Sequence, residues 1–526
     1  MIKRCLFILV ICVTSQQLIA QSSMLLSDGV SDYIRRSELI GTVNSTHSLM
    51  LNSFSSNLEA LDTLFSKKPR IWKKNKFSFR ILPFSQTSQY NSKVAYGRND
   101  GAMIPAAGYQ GNFSGGFKAT YGNLSIQLKP EWIVAENQPF EIFSTEQYPN
   151  YWEVYYRMVL NKIDNPESFG NGAYRKLVMG QSNIQYAFNQ FSVGISTENL
   201  WWGPGRFNAL IMSNNAEGFV HATIHTTKPI ETAWGNFEGQ IISGQLQNST
   251  ILPPDRYRYN SDGLPLYKPK PNNSRYLHGM MASFQPKFSN GLFVGFTLVN
   301  YGYHTSANET MGSLFARYVM PKDHAEVYIE YGRNDKMPTL INVVADNNYP
   351  RAFVAGIRKL VPLNNRQKNA FIDINVEFAQ LQLPNSKQTV DPNSNSWYTS
   401  SSVPQGYTNN GQIMGAGIGP GSNTETIAIS YVKGFSKVGI ELERYLHNND
   451  FYYNAYSITN DPTRHWVDLS TSLVGSYHYK HFMLNGKVAM MRSLNYEWFI
   501  LETLGYFKNG YDLINIHANL SLSYQF

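Results

Sequence analysis

Hydrophobic and polar residues alternate along most of this 526-residue chain, most clearly at its C-terminal end. From Asn515 to Phe526 every second residue is apolar or aromatic, and every residue between them is polar. Side chains alternate between the faces of a strand, so this segment predicts a strand with one apolar face. Its length suits a tilted strand across a bilayer, which needs about 9–11 residues. An aromatic last residue is typical of bacterial outer-membrane barrels, although a soluble β-sandwich can also end on such a strand.

The same two-residue period recurs from about Lys76 to the C terminus. Several of the polar faces carry carboxylates, which are costly against lipid but acceptable in a hydrated lumen. The pattern therefore predicts an all-β fold, one transmembrane antiparallel β-barrel with many strands, over residues 75–526. The clearest alternating segments are 77–81, 124–129, 326–331, 372–378 and 438–443.

The N-terminal region has a different period. In Phe54–Phe65, apolar residues recur at steps of three and four, which predicts a short amphipathic helix. Ser53 can cap its start, and Pro69 follows its end. Residues 32–48 are also predicted to be helical. Residues 21–74 are therefore interpreted as a periplasmic helical segment that touches or plugs the barrel.

Residues 1–20 have the features of a secretory signal peptide. Lys3 and Arg4 precede the apolar run Cys5–Val13, and the small residue Ala20 marks the predicted cut. Both cysteines of the chain lie in this segment, so the mature protein cannot rely on disulfides. Without Lys3 and Arg4 the formal charge falls from +8 to +6, which gives little reason to expect nucleic acid as a partner.

The composition favours a membrane barrel. Mean hydropathy is negative, yet aromatic residues make up 14% of the chain, with 34 Tyr and 30 Phe against 9 Trp. Membrane barrels combine polar inner faces with aromatic girdles at both interfaces. We expect the outer membrane of a Gram-negative cell as the location. The expected partners are outer-membrane lipid and, through the C-terminal strand ending at Phe526, the barrel-assembly machinery.

The run Trp201-Trp202-Gly203-Pro204-Gly205 is the most distinctive motif of the chain. Gly203 to Arg206 fit a type II turn, in which Pro204 fixes φ and Gly205 supplies a positive φ. The tryptophans would then lie at a strand end, either in the interfacial girdle or against the face of a sugar. Arg206 would pair with a lumenal carboxylate or with an acidic sugar.

This motif, together with the residues that follow it as far as Ala216, resembles the signature of the Wzi family of capsule-assembly outer-membrane proteins. The resemblance covers the chain from about Tyr96 to Phe526 and is to Bacteroidetes-type members. It implies a barrel of about eighteen strands with a small helical bundle at its periplasmic end. It also implies a lectin-like protein that attaches or organises capsular polysaccharide or exopolysaccharide at the cell surface. The further blocks that carry the resemblance are 99–106, 108–110, 375–380, 442–444 and 447–450.

Three long polar stretches, 252–275, 384–421 and 446–464, are predicted to be extracellular loops. Their aromatic side chains can stack on the apolar faces of sugars, while Asn, Asp and Lys bind hydroxyls or carboxylates. For any single residue we prefer the alternative, in which the loop tyrosines pack against each other or lie in the outer girdle. The candidate polysaccharide-binding residues are Tyr257, Tyr259, Tyr267, Trp397, Tyr398, Tyr407, Tyr452 and Tyr453.

Other constellations give weaker signals. Glu441 and Glu443 share a strand face about 7 Å apart, which is near the spacing of glycosidase carboxylates. We prefer a lumenal pair balanced by Arg444 or by lysines across the wall. His221 and His225 have no third ligand nearby, so no metal site is predicted.

The glycine-dense stretch 411–421 fits neither the dinucleotide fingerprint nor the phosphate loop, and it predicts a tight bend or a close backbone approach. No catalytic residue and no cofactor is predicted, so the chain is interpreted as a non-enzyme. The alternative is an outer-membrane pore or transporter of similar barrel architecture. A pore requires an open lumen, whereas a tether predicts a filled one.

Overall fold

The computed structural model of the chain is an antiparallel β-barrel whose last strand pairs with its first. It describes residues 28–43, 48, 71–170, 172–304, 307–334, 350–363, 369–384, 394–456, 464–499 and 512–526. The predicted signal peptide 1–20 and the predicted amphipathic helix Phe54–Phe65 lie outside these residues.

Eighteen strands form the barrel in the described part of the chain, and each pairs with the next one in sequence. Two of them, β3 and β4, consist of two segments separated by an irregularity. The strands are β1 (Phe77–Tyr96), β2 (Ala106–Tyr121), β3 (Leu124–Leu128 and Glu131–Ala135), β4 (Tyr174–Val178 and Asn183–Phe188), β5 (Phe191–Ser196), β6 (His221–Thr226), β7 (Gly235–Leu246), β8 (Arg275–Pro286), β9 (Leu292–Tyr303), β10 (Asn308–Met320), β11 (Ala325–Arg333), β12 (Arg351–Pro362), β13 (Ala370–Gln380), β14 (Asn423–Lys433), β15 (Ser436–Leu446), β16 (Val467–Tyr479), β17 (Phe482–Leu494) and β18 (Leu513–Tyr524).

The barrel closes where β18 pairs with β1, in a register from Phe84–Tyr524 to Asn91–His517. Closure satisfies the backbone groups that would otherwise remain at two sheet edges. The short segments Ile71–Lys74 and Ile230–Glu231 extend the pairing of β1 and β7. The predicted antiparallel barrel of about eighteen strands is therefore confirmed.

The alternation predicted for the C-terminal strand separates an inner from an outer face. On β18, Leu520 is 50% exposed on the outside, whereas Asn515 on the inside is completely buried. The exposed outer face is apolar because a lipid-facing strand gains nothing from polar side chains.

The two ends of the barrel differ. At one end, called the short-turn end, tight turns such as 122–123, 189–190 and 434–435 connect the strands. At the other, the long-loop end, nine connections join the described strands, and the long ones include 136–173, 197–220, 247–274, 381–422, 447–466 and 495–512.

Three helices accompany the strands in the described residues. Helix α1 (Asp28–Ile40) lies against the inner wall at the short-turn end, where Arg36 donates to the carbonyl of Gly434 at 2.7 Å. It confirms a portion of the helix predicted within 32–48. Helix α2 (Pro149–Tyr155), continued by the π-helical turn Tyr156–Leu160, and α3 (Asn449–Ala455) lie at the long-loop end. The remaining elements are the 3-10 turns Pro321–Asp323 and Tyr496–Trp498 and a ribbon of Thr408–Asn409 with Gln412–Ile413. None of the described helices is long and apolar enough to span a membrane.

The main hydrophobic core lies inside the barrel. The connections 197–220 and 394–422 fold back into the lumen, and Leu210, Ile211 and Met414 pack there against inward apolar residues such as Leu277 and Phe315. The carboxylates on the polar strand faces are acceptable in a hydrated lumen, but on this side of the barrel two chain segments occupy the space.

Candidate functional site

The WWGPG motif lies in the lumen and not at the membrane interface. Trp202 is 1% exposed, and its indole nitrogen donates to Oε1 of Gln240 on β7 at 3.0 Å. Gly203, Pro204 and Gly205 are buried as well, and Trp201 is partly buried. The expectation that both tryptophans lie at a strand end, in the girdle or against a sugar, is wrong for Trp202, because the whole connection 197–220 turns inward.

The turn of the motif is not the predicted type II turn. Gly203, and not Gly205, has a positive φ, of +143°. A Cβ atom on Gly203 would lie 2.7 Å from Oε2 of Glu330, and one on Gly205 would collide with the carbonyl of Asn208. The glycines are therefore needed because the wall and the turn approach each other closely.

Glu377 of β13 holds the turn through its two carboxylate oxygens. It accepts from the backbone nitrogens of Arg206 at 2.6 Å and Phe207 at 3.1 Å, and from Nδ2 of Asn208 at 3.1 Å. The hydroxyl of Tyr328 also donates to it at 2.9 Å. One buried acceptor thus satisfies three donors of the turn, which would be costly to leave unpaired.

Glu330 of β11 has the same role at the next residues of the connection 197–220, called here the motif loop. It accepts from the backbone nitrogen of Leu210 at 3.1 Å and from the hydroxyl of Ser313 at 2.7 Å. Glu330 and Glu377 are at most 1% exposed. These wall carboxylates therefore bind the motif loop and do not face water.

Helix α1 contacts the same turn from the short-turn end. Arg35 donates to the carbonyl of Pro204 at 2.8 Å, and Arg206 lies 3.1 Å from Oδ1 of Asp32. The predicted pairing of Arg206 with a carboxylate is confirmed, although the carboxylate belongs to α1 and not to the wall.

Trp397, Tyr398 and Tyr407 lie within the second inward segment, and each is at most 1% exposed. The hydroxyl of Tyr398 donates to the carbonyl of Leu210 at 2.7 Å and accepts from the nitrogen of Ala416 at 2.7 Å. The expectation that these three aromatic residues lie in an exposed extracellular loop is wrong. Their rings fill the lumen above the motif loop.

The glycines of 411–421 allow this close packing. A Cβ atom on Gly415 would collide with the Leu210 carbonyl and the Tyr398 hydroxyl, and one on Gly417 would collide with the Asn215 side chain. The predicted close backbone approach is confirmed.

The two glutamates of β15 are balanced by cations from other elements. Glu441 pairs with Lys487 of β17, and Glu443 pairs with Arg98. The predicted pairing with a lysine across the wall is confirmed, whereas Arg444 pairs with Glu425 at 3.0 Å on the outer face. Among the residues that the structure describes, no group of three or more His, Cys, Asp or Glu side chains could hold a metal ion.

The long-loop end carries a second aromatic cluster, called here the aromatic cap. Phe143 lies at its centre, 4.2 Å from the ring of Tyr155 and 4.9 Å from that of Trp152 between ring centroids. Phe451 of α3 and Trp498 complete the contacts. Tyr452 is 3% exposed and packs within the cap, 5.7 Å from the ring of Tyr453, so the alternative of packing between loop tyrosines holds for this pair.

The connection 247–274, called here the tyrosine loop, is attached to the cap. The guanidinium of Arg258 lies 4.5 Å over the ring of Trp152, and its Nε donates to Asp255 at 2.7 Å. Tyr257 and Tyr259 are 69% and 57% exposed, while Tyr267 packs against the cap. Of the eight predicted sugar-binding residues, these two thus present the largest exposed rings.

Two carboxyl groups of the cap are perturbed. Burial raises the pKa of Glu167, whose carboxylate accepts from the hydroxyl of Tyr155. Burial, together with the negative charges of Glu167 and Asp468, raises the pKa of Glu497 well above its usual range. A neutral Glu497 is therefore favoured in the folded cap.

The cap should weaken as pH rises. A carboxyl group whose pKa is higher in the folded than in the opened cap stabilises the cap at low pH. This stability is lost progressively above the ordinary glutamate pKa of about 4.3. Glu497→Gln should remove much of the dependence and slow proteolysis of the purified barrel at pH 8. Glu425→Gln, at an exposed carboxylate, is the control, and equal cleavage of all three proteins at pH 5 and pH 8 would contradict the assignment.

The pattern of alternation gave no indication of α2 or of the cap. The stretch 148–160 has no two-residue period, and Phe143, Trp152 and Trp498 are separated widely in the chain. The usable signal was local: Pro149 at the first helical turn is followed by a run dense in Tyr and Trp.

Comparisons with known proteins agree with this architecture. A family model described as capsule assembly protein Wzi matches residues 99–302, which is less than half of the chain and includes the WWGPG motif. No curated protein matches the chain.

Among solved structures, Wzi of Escherichia coli, described as an outer-membrane protein involved in group 1 capsule assembly and a carbohydrate-binding β-barrel, covers 97% of this chain. All of that protein is covered, at 11% identity and a TM-score of 0.60. OccAB4 of Acinetobacter baumannii (9% identity, 86% of this chain and 98% of that one, TM-score 0.39) is less similar. An anion-selective porin of Comamonas acidovorans is also less similar (10% identity, 86% of this chain and 100% of that one, TM-score 0.32). The chain thus shares the fold of Escherichia coli Wzi over nearly its whole length and is similar in sequence to the Wzi capsule assembly family over residues 99–302.

Proposed function

We propose that the protein belongs to the Wzi family and is a non-enzymatic outer-membrane barrel that attaches or organises capsular polysaccharide or exopolysaccharide. The short-turn end faces the periplasm, and the long-loop end faces the outside. In this proposal residues 1–20 are removed, 21–74 form the periplasmic segment and 75–526 form the barrel. Lipid surrounds the barrel, and the assembly machinery acts on the strand ending at Phe526.

The observation that carries the proposal is the filled lumen. The segments 197–220 and 394–422 pack into it, and α1 contacts the motif turn from the other end. A pore or transporter needs a path through this space, so the alternative function has no support from the described interior. A large exported polymer can reach only the outer surface of the long-loop end.

The tyrosine loop supplies suitable chemistry on that surface. Tyr257 and Tyr259 expose their rings, and the exposed basic residues Arg256 and Lys268 lie in the same loop. Tyrosine offers a rigid, amphipathic contact that stacks on apolar sugar faces at a low cost in conformational entropy. The anchoring of Arg258 over Trp152 holds the loop in place before the polymer binds.

The double variant Tyr257→Ala/Tyr259→Ala should bind the polymer roughly thirtyfold more weakly, if each ring contributes about 1 kcal/mol. The measurement is a binding titration of the purified barrel with surface polysaccharide purified from the same strain. The matched control is Tyr479→Ala, which removes a ring of similar exposure (55%) from the short-turn end. Unchanged migration of unheated samples on gels shows that each barrel is folded.

Wild-type and Tyr479→Ala barrels that bind alike, with a weaker double variant, would support the assignment of the tyrosine loop. Equal binding by all three would reject this loop as the contact surface. No binding by the wild-type barrel would reject the lectin-like function itself.

A further inference from the structure

The outer face of strands β9 to β13 carries an apolar groove of about 420 Å³. The row of residues nearer the short-turn end pairs directly across neighbouring strands. Tyr318 pairs with Val327, Val327 with Ile357, and Ile357 with Val376. The next row toward the long-loop end continues through Ala316, Ile329, Ala355 and Phe378.

Small residues form the depression, and large ones border it. Ala316 and Ala355 point outward between Tyr318, Ile329 and Phe378, which are 41%, 50% and 48% exposed. The lipid-facing surface is therefore concave here, because Ala316 and Ala355 leave open the space that larger outward side chains would fill.

The floor of the groove is fixed from inside the barrel. Gly356 has no side chain, and a Cβ atom there would collide with the ring of Tyr328. Tyr328 is 4% exposed and donates to Glu377 at 2.9 Å, so the ring is held by the same carboxylate that binds the motif turn. The groove does not depend on a mobile side chain for its floor.

Two ammonium groups lie at the short-turn rim. Lys359 follows Ile357 on the same outward face and donates from Nζ to the backbone carbonyl of Asp323. Lys322, in the turn Pro321–Asp323, is exposed beside it. Asp323 is the exposed acid of this turn, so the basic residues are in excess at the rim.

We propose that this groove binds one acyl chain of an anionic phospholipid, with the phosphate at Lys322 and Lys359. The inference rests on the proposed placement in the outer membrane with the short-turn end toward the periplasm. A narrow apolar channel that ends at two ammonium groups matches one hydrocarbon chain with an anionic head. Contact with a second barrel through this face would instead bury two ammonium groups against the single carboxylate of Asp323, which is unfavourable.

The test is native mass spectrometry of the full-length mature barrel in mild detergent after incubation with phosphatidylglycerol or phosphatidylcholine. The wild-type barrel should retain one phosphatidylglycerol molecule and much less phosphatidylcholine. Ala316→Phe/Ala355→Phe should reduce this retention at least tenfold. Lys322→Gln/Lys359→Gln should reduce the retention of phosphatidylglycerol to that of phosphatidylcholine.

Ala222→Phe is the matched control, because Ala222 is an exposed small residue on the outer face of β6. If the double phenylalanine variant fails to fold, as seen by gel migration of unheated samples, Ala316→Leu replaces it. Equal retention by the groove variants and the control, or a protein dimer in place of the lipid adduct, would overturn the proposal. The assay contains no polysaccharide, so its outcome is independent of the lectin-like function.

Discussion

Glu377→Ala is expected to release the WWGPG turn and to open the lumen. The substitution leaves three donors of the turn, from Arg206, Phe207 and Asn208, without their buried acceptor. A buried donor left unpaired costs about 1–3 kcal/mol, so the variant should lose at least about 3 kcal/mol of stability. Planar-bilayer recordings of the purified variant should show conductance where the wild-type barrel shows little.

Two controls separate this effect from a general loss of charge. Glu377→Gln keeps the volume and one acceptor oxygen, and should lie between the wild type and the alanine variant. Glu425→Ala removes a carboxylate that is 40% exposed on the neighbouring strand β14, and should change neither stability nor conductance. A folded Glu377→Ala barrel with wild-type stability and conductance would contradict the role assigned to this residue.

Asp32→Asn is expected to detach helix α1 from the inner wall. The carboxylate of Asp32 lies 2.6 Å from Arg358, 3.0 Å from Arg36 and 3.1 Å from Arg206. The removal of one partner from a buried ion pair typically costs about 3–5 kcal/mol, because the remaining charge is left unbalanced. Amide hydrogen exchange in residues 28–40 should therefore become much faster in the variant.

The pH dependence of the contact between helix α1 and the inner wall follows from the ion pairs of Asp32. Burial opposes the charged form of Asp32, but Arg358, Lys437, Arg206 and Arg36 outweigh it and hold the pKa well below its usual range. The stabilisation is present above the ordinary aspartate pKa of about 3.9 and is lost as pH falls through the lower folded value. The helix should therefore remain docked at pH 4.

The control for Asp32 is Glu425→Gln, which breaks an exposed pair with Arg444. Exposed pairs contribute no more than about 1 kcal/mol, so exchange in α1 should not change. Exchange rates in α1 that are the same in Asp32→Asn and in the wild type would show that this cluster does not hold the helix.

The outward-facing surface of the barrel could be predicted from sequence, because contact with lipid requires apolar side chains there. Residues such as Leu520 must be apolar, their neighbours such as Asn519 need not be, and a two-residue period results. The same period predicted the inward direction of Glu330 and Glu377, which the structure confirms.

The contents of the lumen could not be predicted in this way. Alternation shows which face of a strand points inward, but not which segment packs against it. The Ser, Asn and Gly content of the stretch 384–421 predicts an outer loop, although Trp397, Tyr398 and Met414 are core residues. Polar residues in this segment form buried hydrogen bonds with the wall and the motif loop, so a polar composition did not imply exposure.

The motif shows the same limit at the level of single residues. Its residues predict a type II turn with a positive φ at Gly205, whereas the structure has the positive φ at Gly203. The turn is set by Glu377 and Glu330, which lie more than a hundred residues away in the chain. Long-range contacts of this kind leave no local pattern in the sequence.

Surface polysaccharide in a strain that lacks this protein tests the central claim most directly. The polymer is measured separately on washed cells and in the medium, with the wild-type gene returned as the control. We expect unchanged total synthesis, a large shift of polymer from the cells into the medium, and reversal by the wild-type gene. If the attached and released amounts both stay at wild-type levels, the protein does not hold polysaccharide at the cell surface.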